Sequence, residues 1–278
     1  MERLYFHHSD GPQFLSLAEI LVHRLRDFDA AFRSASRLRL LLYVFLRQLS
    51  KVVKVDENKI IELIPETSMS LFGYRFLTRR RTLDFLFFSR FYEFQTTALI
   101  RSIRGDVFLD VGAHLGRFSI VSSESFRRIY SIEPHPSNFR YLVRNIRLNG
   151  LSNITPVQNA MSNRDASVNV SRLAPNTGAV KIAKTGTKVP SRRLDSLIGY
   201  LRIPFDNITL IKIDVEGHEM EVLKGSTNLL KYGSPRIVVE SFTLGKVRRL
   251  LERFGYWYSG TFDFYNHLFL KNGTLSRS

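Results

Sequence analysis

The chain has 278 residues, 44% hydrophobic and 24% charged, enough for one large globular domain with an added segment. It contains no cysteine, which excludes disulfides and cysteine-ligated zinc or iron–sulfur centres and suits an intracellular setting. With 41 Lys and Arg against 25 Asp and Glu the formal net charge is +16. That charge is read either as a solvated basic surface or as attraction to an anionic partner: nucleic acid, a phosphate-bearing substrate or acidic lipid.

The opening, MERLYFHHSDGPQF, shows no basic cap followed by a long apolar core, so no secretory signal is expected. The apolar block LRLLLYVFL (38–46) is too short to span a bilayer and carries Arg39. The expected location is cytoplasmic, with attachment to a membrane surface left open. Residues 14–51 repeat apolar positions at three-to-four spacing between arginines, which predicts a basic amphipathic helix packed on its own domain. VVKVDENKIIELI (52–64) reads as two short strands around a turn, and a helix is expected over about 89–103, ending at Gly105. From residue 106 the pattern becomes strand–helix alternation: strands at 106–111, 127–134, 153–160, 207–215 and 235–241, helices at 116–126, 137–150, 218–232 and 244–255, and closing strands at 256–260 and 267–273. Residues 161–205 read as irregular. Alternation of this kind predicts a parallel sheet with helices on both faces and an antiparallel hairpin at one edge.

The carboxyl end of the first of these strands carries VFLDVGAHLG (107–116). Ligands of open α/β sheets sit beyond strand carboxyl ends, where Gly112 permits a tight turn and close backbone approach, and Gly116 lets a helix begin near the strand. The spacing D-x-G-x-x-x-G is not the dinucleotide fingerprint G-x-G-x-x-G. Asp110 would repel a pyrophosphate; it suits a ligand with an ammonium group, or one that needs a carboxylate to order the loop. S-adenosylmethionine carries both an ammonium and a carboxylate. Glu133, ending the second strand, is placed to accept hydrogen bonds from both ribose hydroxyls. Asn159 is placed either to accept from an adenine amino group or as an ordinary turn residue, and the small Ala160 leaves room for a ring.

A second constellation is IKIDVEGHEMEVLKG (211–225), where Lys212, Asp214, Glu216, His218 and Glu219 fall within eight residues. Lys212 and Asp214 share one strand face, and Asp214 lies on the same sheet edge as the glycine loop. Asp214, Glu216 or His218 could serve as general base toward an acceptor hydroxyl. The same carboxylates and His could instead hold Mg²⁺ or Mn²⁺, although no metal site is assigned. Glu219 is read as a helix-start residue favoured by the helix dipole.

These blocks, FLDVGAHLGRFS, YSIEPHPSNFRYLVRNIRLNGLSNIT, LDSLI and LIKIDVEGHEMEVLKG, resemble the FkbM-type S-adenosylmethionine-dependent methyltransferases over about residues 90–242. The resemblance implies a Rossmann-like class I methyltransferase fold with a seven-stranded, mostly parallel sheet and an antiparallel C-terminal hairpin, here preceded by a helical extension. It implies cofactor binding by Asp110, Gly112, Gly116 and Glu133 with Asn159 near adenine; Ala113, His114, Pro134 and Ala160 are counted with that site. His114 stands where the family usually has Asn. The division expected is a basic extension over 1–89 and a methyltransferase domain over 90–278. The expected activity is O-methylation of a small-molecule, sugar or lipid-linked hydroxyl. Tyr256, Trp257, Tyr258, Phe262, Phe264 and Tyr265 are read as acceptor-pocket aromatics or, more simply, as hairpin packing. Two rivals stay open: a nucleic-acid methyltransferase, favoured by charge but lacking an N/D-P-P-Y/F motif, and a non-catalytic protein that binds a membrane surface.

Overall fold

The computed structural model describes residues 29, 31, 34–53, 60–172 and 180–271. The part of the expected first helix before residue 29 lies outside the described residues. Ser34 bridges to Met69, and helix α1 runs Arg37–Val53, burying Leu40, Tyr43 and Val44. The two strands expected over 52–64 are not found where that stretch is described: Val52 and Val53 end α1, and Ile60 and Ile61 are helical. Residues 54–59 lie outside the described residues.

The strands of the front segment come later. β1 (Thr67–Leu71) and β2 (Tyr74–Thr78) form an antiparallel hairpin whose turn, Phe72-Gly73, has positive φ at both positions, as a tight two-residue hairpin turn demands. A 3₁₀ turn over Asp84–Phe88 and helix α2 (Phe94–Ser102) lead to β3 (Gly105–Val111). The helix expected from 89 therefore begins five residues later. There follow α3 (Arg117–Val121), β4 (Phe126–Ile132), α4 (Pro136–Leu148) and β5 (Ile154–Val157).

Asn145 of α4 and Asn149, which caps its C-terminus one turn later, dock the front hairpin. Asn145 accepts from the Leu77 N–H at 2.7 Å, and its amide donates to the Leu77 carbonyl. Asn149 repeats the pattern on Arg75 at 2.8 and 2.7 Å. The side-chain amides thus satisfy an edge strand's backbone groups as a neighbouring strand would.

The stretch 161–205, expected to be irregular, holds regular elements in its described residues, 161–172 and 180–205. It holds β7 (Ala166–Arg172), β8 (Val180–Ala183), β9 (Thr187–Arg192) and helix α5 (Leu194–Tyr200). With β6 (Ala160–Met161) these strands make a small sheet in the order β6-β9-β7-β8 around Ala160, Val170 and Val189. The remaining elements are β10 (Ile208–Ile213), α6 (Glu219–Lys224), α7 (Thr227–Tyr232), β11 (Arg236–Glu240), α8 (Leu244–Glu252), β12 (Tyr256–Phe262) and β13 (Asn266–Lys271). The single helix expected over 218–232 is two. Between them, a Cβ on Gly225 would stand 2.0 Å from the Ser162 carbonyl oxygen, so the break lies where the chain crosses the small sheet at backbone contact.

Among the described residues the main sheet has seven strands in the order β12-β13-β11-β10-β3-β4-β5. β5, β4, β3, β10 and β11 run parallel, and β13 is antiparallel to both β11 and β12. This is the class I methyltransferase sheet. Alternation along β3 sends Phe108 to a core shared with α1, the front hairpin and α4, and sends Val107, Leu109 and Val111 to a second core with α5–α8. The strand order reverses between β3 and β10, which places the ligand crevice at their carboxyl ends. No described helix is long and apolar enough to cross a membrane.

Candidate active site

The crevice is built first from backbone. The N–H groups of Gly112 and Ala113 both donate to the Ile132 carbonyl, and the Asp214 N–H donates to the Val111 carbonyl. The loops after β3 and β10 lie so close that a Cβ on Gly112 would fall 1.7 Å from the Asp214 carbonyl oxygen. Gly112 also has φ +91°, so only glycine satisfies both constraints. Gly116 starts α3 at φ +90°, against Leu142 of α4.

Asp110 does not open into the crevice. Its carboxylate accepts from the backbone N–H and hydroxyl of Ser119, and the Ser119 hydroxyl accepts from Ser131 at 2.6 Å. Burial raises its pKa; the Lys212 ammonium and the Ser119 hydrogen bonds oppose that rise. Of the two roles expected for it, the geometry matches ordering the loop, since the carboxylate ties α3 to β3 from beneath.

Glu133, Ala113, His114, Pro134, Asn159 and Ala160 line one pocket together with Asp214, Glu216 and His218. Glu133 is almost fully buried and accepts from three donors: the His114 N–H at 3.0 Å, the His135 N–H at 2.9 Å and the Asn138 amide at 3.1 Å. Burial pushes its pKa up to about 7 against those donors. His114 has φ +52° and packs edge-to-face on Phe87. Burial lowers its pKa to about 4, so the imidazole is neutral at physiological pH. The Asn159 amide donates to the Gln158 carbonyl, while its own buried carbonyl oxygen has no partner among the described residues. A buried acceptor without a donor is costly, and Asn159 is among the residues that line the pocket.

The second constellation assembles as its strand spacing predicts. Lys212 is buried, its ammonium 2.8 Å from the Asp214 carboxylate and 4.5 Å from the centre of the Phe118 ring. Burial disfavours the Lys212 ammonium, but Asp214, Glu93 and Glu240 outweigh burial and raise its pKa. Asp214 is held below the usual carboxylate range: burial opposes ionisation, and Lys212 overrides it. Glu240 is pushed well above that range by burial and by the Asp214 and Glu93 carboxylates, and donates to Asp214. Oxygen atoms of Glu93, Asp214 and Glu240 lie within 4.8 Å of one another. These three could hold a divalent cation, in competition with the Lys212 ammonium that already neutralises Asp214.

Glu216 stands at the rim with φ +55°. Desolvation, then the Asp214 and Glu219 carboxylates, push it up to about 8. His218 bonds the Ser162 hydroxyl at 2.9 Å, and burial lowers its pKa. Glu219 accepts from the Gly217 N–H at 2.8 Å, bracing the loop as a helix-start residue does.

The sequence reading missed the residues that close this pocket. Phe87, Tyr92, Arg117 and Phe118 line it, and Glu93 and Glu240 join the Asp214 cluster. The aromatics Tyr256, Trp257, Tyr258, Phe262, Phe264 and Tyr265 do not line it. Tyr256 is buried beneath Lys271, and Tyr258 packs on Phe269 and under Arg248. One available signal was Glu240, a charge ending the apolar strand RIVVE beside β10. Glu93, before α2, carried no comparable signal.

A model of the methyltransferase FkbM domain matches residues 110–258, more than half of the chain. The chain belongs to this family. A hexuronic acid methyltransferase, AglP of Haloferax volcanii, is 34% identical over 130 residues, 45% of this chain and 52% of that protein. Methyltransferase 1 of Beauveria bassiana is 25% identical over 143 residues, 42% and 57% of the two chains. The FkbM chain thus spans about half the length of the curated relatives it matches. Among solved structures, methyltransferase FkbM of Methylobacillus flagellatus KT aligns with TM-score 0.46 at 17% identity, covering 65% of this chain and 53% of that one.

Proposed function

We propose that this chain transfers a methyl group from S-adenosylmethionine to a hydroxyl of a small-molecule, sugar or lipid-linked acceptor. The observation that carries the reading is one pocket holding both constellations, with the buried Glu133 carboxyl and the unpartnered Asn159 carbonyl on one side and Asp214 on the other. This donor set fits the cofactor. Glu133 would accept from the ribose hydroxyls, Asn159 from the adenine amino group, and the N-terminus of α3 with neutral His114 would face the methionine end. The bound cofactor supplies an electrophilic methyl group.

The protein's part is positioning and proton handling. Asp214, kept ionised by Lys212, accepts the acceptor's hydroxyl hydrogen bond and aims its oxygen. Glu216 would take the hydroxyl proton, leaving the acceptor oxygen as nucleophile toward the methyl group that a bound cofactor would supply as it leaves as S-adenosylhomocysteine. A base must be unprotonated, so turnover should rise with pH to a plateau above about 8, and Glu216→Gln should remove that limb. Asp214→Ala should lower turnover by at least a hundredfold while S-adenosylhomocysteine affinity stays within a few-fold; equal loss of both would reassign Asp214 to cofactor binding. The acceptor class is tested by methyl incorporation into hexuronic acid glycosides and neutral glycosides. That choice rests on the 34% identical hexuronic acid methyltransferase.

A further inference from the structure

The family match begins at residue 110, yet a side chain thirty-one positions earlier reaches both halves of the cofactor pocket. Arg79 is buried at 5% exposure. Its Nε and Nη2 form a fork on the Asp84 carboxylate at 2.7 Å each, and its own N–H adds a third bond. Nη1 donates to the Asn138 carbonyl oxygen at 2.5 Å, and the Asn138 amide donates in turn to Glu133. Nη2 also lies 3.3 Å from His114 Nε2. A guanidinium only donates, so His114 Nε2 is the acceptor and Nδ1 carries the ring proton.

The segment that follows is fastened from the other side. Arg117, at the start of α3, donates to the carbonyls of Phe87, Ser89 and Tyr92, and Phe87 and Tyr92 line the pocket. A buried ion pair such as Arg79–Asp84 is a poor stability device. Here it fixes the orientation of the Asn138 amide and the tautomer of His114.

Resting on the cofactor reading above, we infer that Arg79 is a positioning residue for S-adenosylmethionine binding, and that residues 79–92 form a wall of the site not contained in the 110–258 family domain. Arg79 acts through Asn138 on Glu133 and directly on His114.

The test uses the full chain and S-adenosylhomocysteine titrated calorimetrically into wild type, Arg79→Lys, Asn138→Ala, their double variant, and Arg79→Met paired with Asp84→Asn so that no buried charge is stranded. Affinity should fall at least tenfold in the folded Arg79 variants. The Arg79→Lys/Asn138→Ala double should lose less than the product of the singles, because both break one relay. In ¹⁵N spectra His114 should hold its proton on Nδ1 in wild type and shift toward Nε2 when Arg79 is replaced. Wild-type affinity and an unchanged tautomer in folded variants would overturn the inference. If the paired variant does not fold, Asn138→Ala, which keeps the ion pair, decides by the same affinity criterion. Failure of the wild type itself to bind would instead remove the cofactor reading, and this inference with it.

Discussion

Two carboxyl groups on opposite walls of one pocket are tuned apart by their neighbours. Glu133 has only neutral N–H donors in contact, and burial leaves its pKa at about 7. Asp214 has an ammonium at 2.8 Å and stays ionised. This difference yields a pH prediction for binding alone. An ionised Glu133 can accept from ribose hydroxyls and a protonated one is a weaker acceptor. S-adenosylhomocysteine affinity should therefore improve as pH rises from 6 to 8, with a midpoint near 7. Glu133→Ala should bind weakly with no such midpoint, measured by calorimetry across that range. His114, titrating at about 4, contributes nothing in this window. At this scale Glu133, Asn159 and Asp214 stand out in the sequence as strand-end residues; each follows its strand within two residues and the three line one pocket. The sequence could not show that Asp110 would turn inward onto Ser119, since a strand-end carboxylate has two faces available and only packing chooses between them.

Among the elements, the decisive contact is between the loops after β3 and β10. Gly112→Ala would drive a Cβ into the Asp214 carbonyl at 1.7 Å and force an alanine to φ +91°. The expected cost is at least about 3 kcal/mol, beyond the ordinary range for a single substitution, read as a lowered urea midpoint; a change below about 1 kcal/mol would contradict the geometry. The strands of the main sheet were legible because their apolar runs are continuous, as strands buried on both faces must be. The small sheet was not. Its β7 reads ASVNVSR and β9 reads TKVPSR, half-exposed strands whose few apolar side chains meet around Val170 and Val189. The front hairpin was hidden for a related reason: its edge is satisfied by Asn145 and Asn149, side chains about seventy residues away.

Over the whole molecule, the described residues of the front segment pack into the same core as the sheet. Leu40, Phe76 and Phe85 share a core with Phe108, Ile129 and Leu142. Residues 1–89 resemble nothing in the family pattern, so sequence matching could not place them; the docking of β2 on Asn145 and Asn149 places the hairpin. The net charge of +16 acts at this scale as well. Retention of RNA by so basic a chain should be steep in salt and nearly lost by about 0.3 M, whereas S-adenosylhomocysteine affinity should change less than threefold over the same range; parallel loss of both would tie the charge to the pocket.

The central claim is tested most directly by thermal unfolding of the wild type and Glu133→Ala with S-adenosylmethionine, S-adenosylhomocysteine or NAD. A ligand at a hundred times its Kd should stabilise the folded state by about 2.7 kcal/mol. The account predicts that both sulfur compounds raise the wild-type Tm, that NAD leaves it unchanged, and that Glu133→Ala loses most of the rise. Stabilisation by NAD instead, or by none of the three, would contradict it.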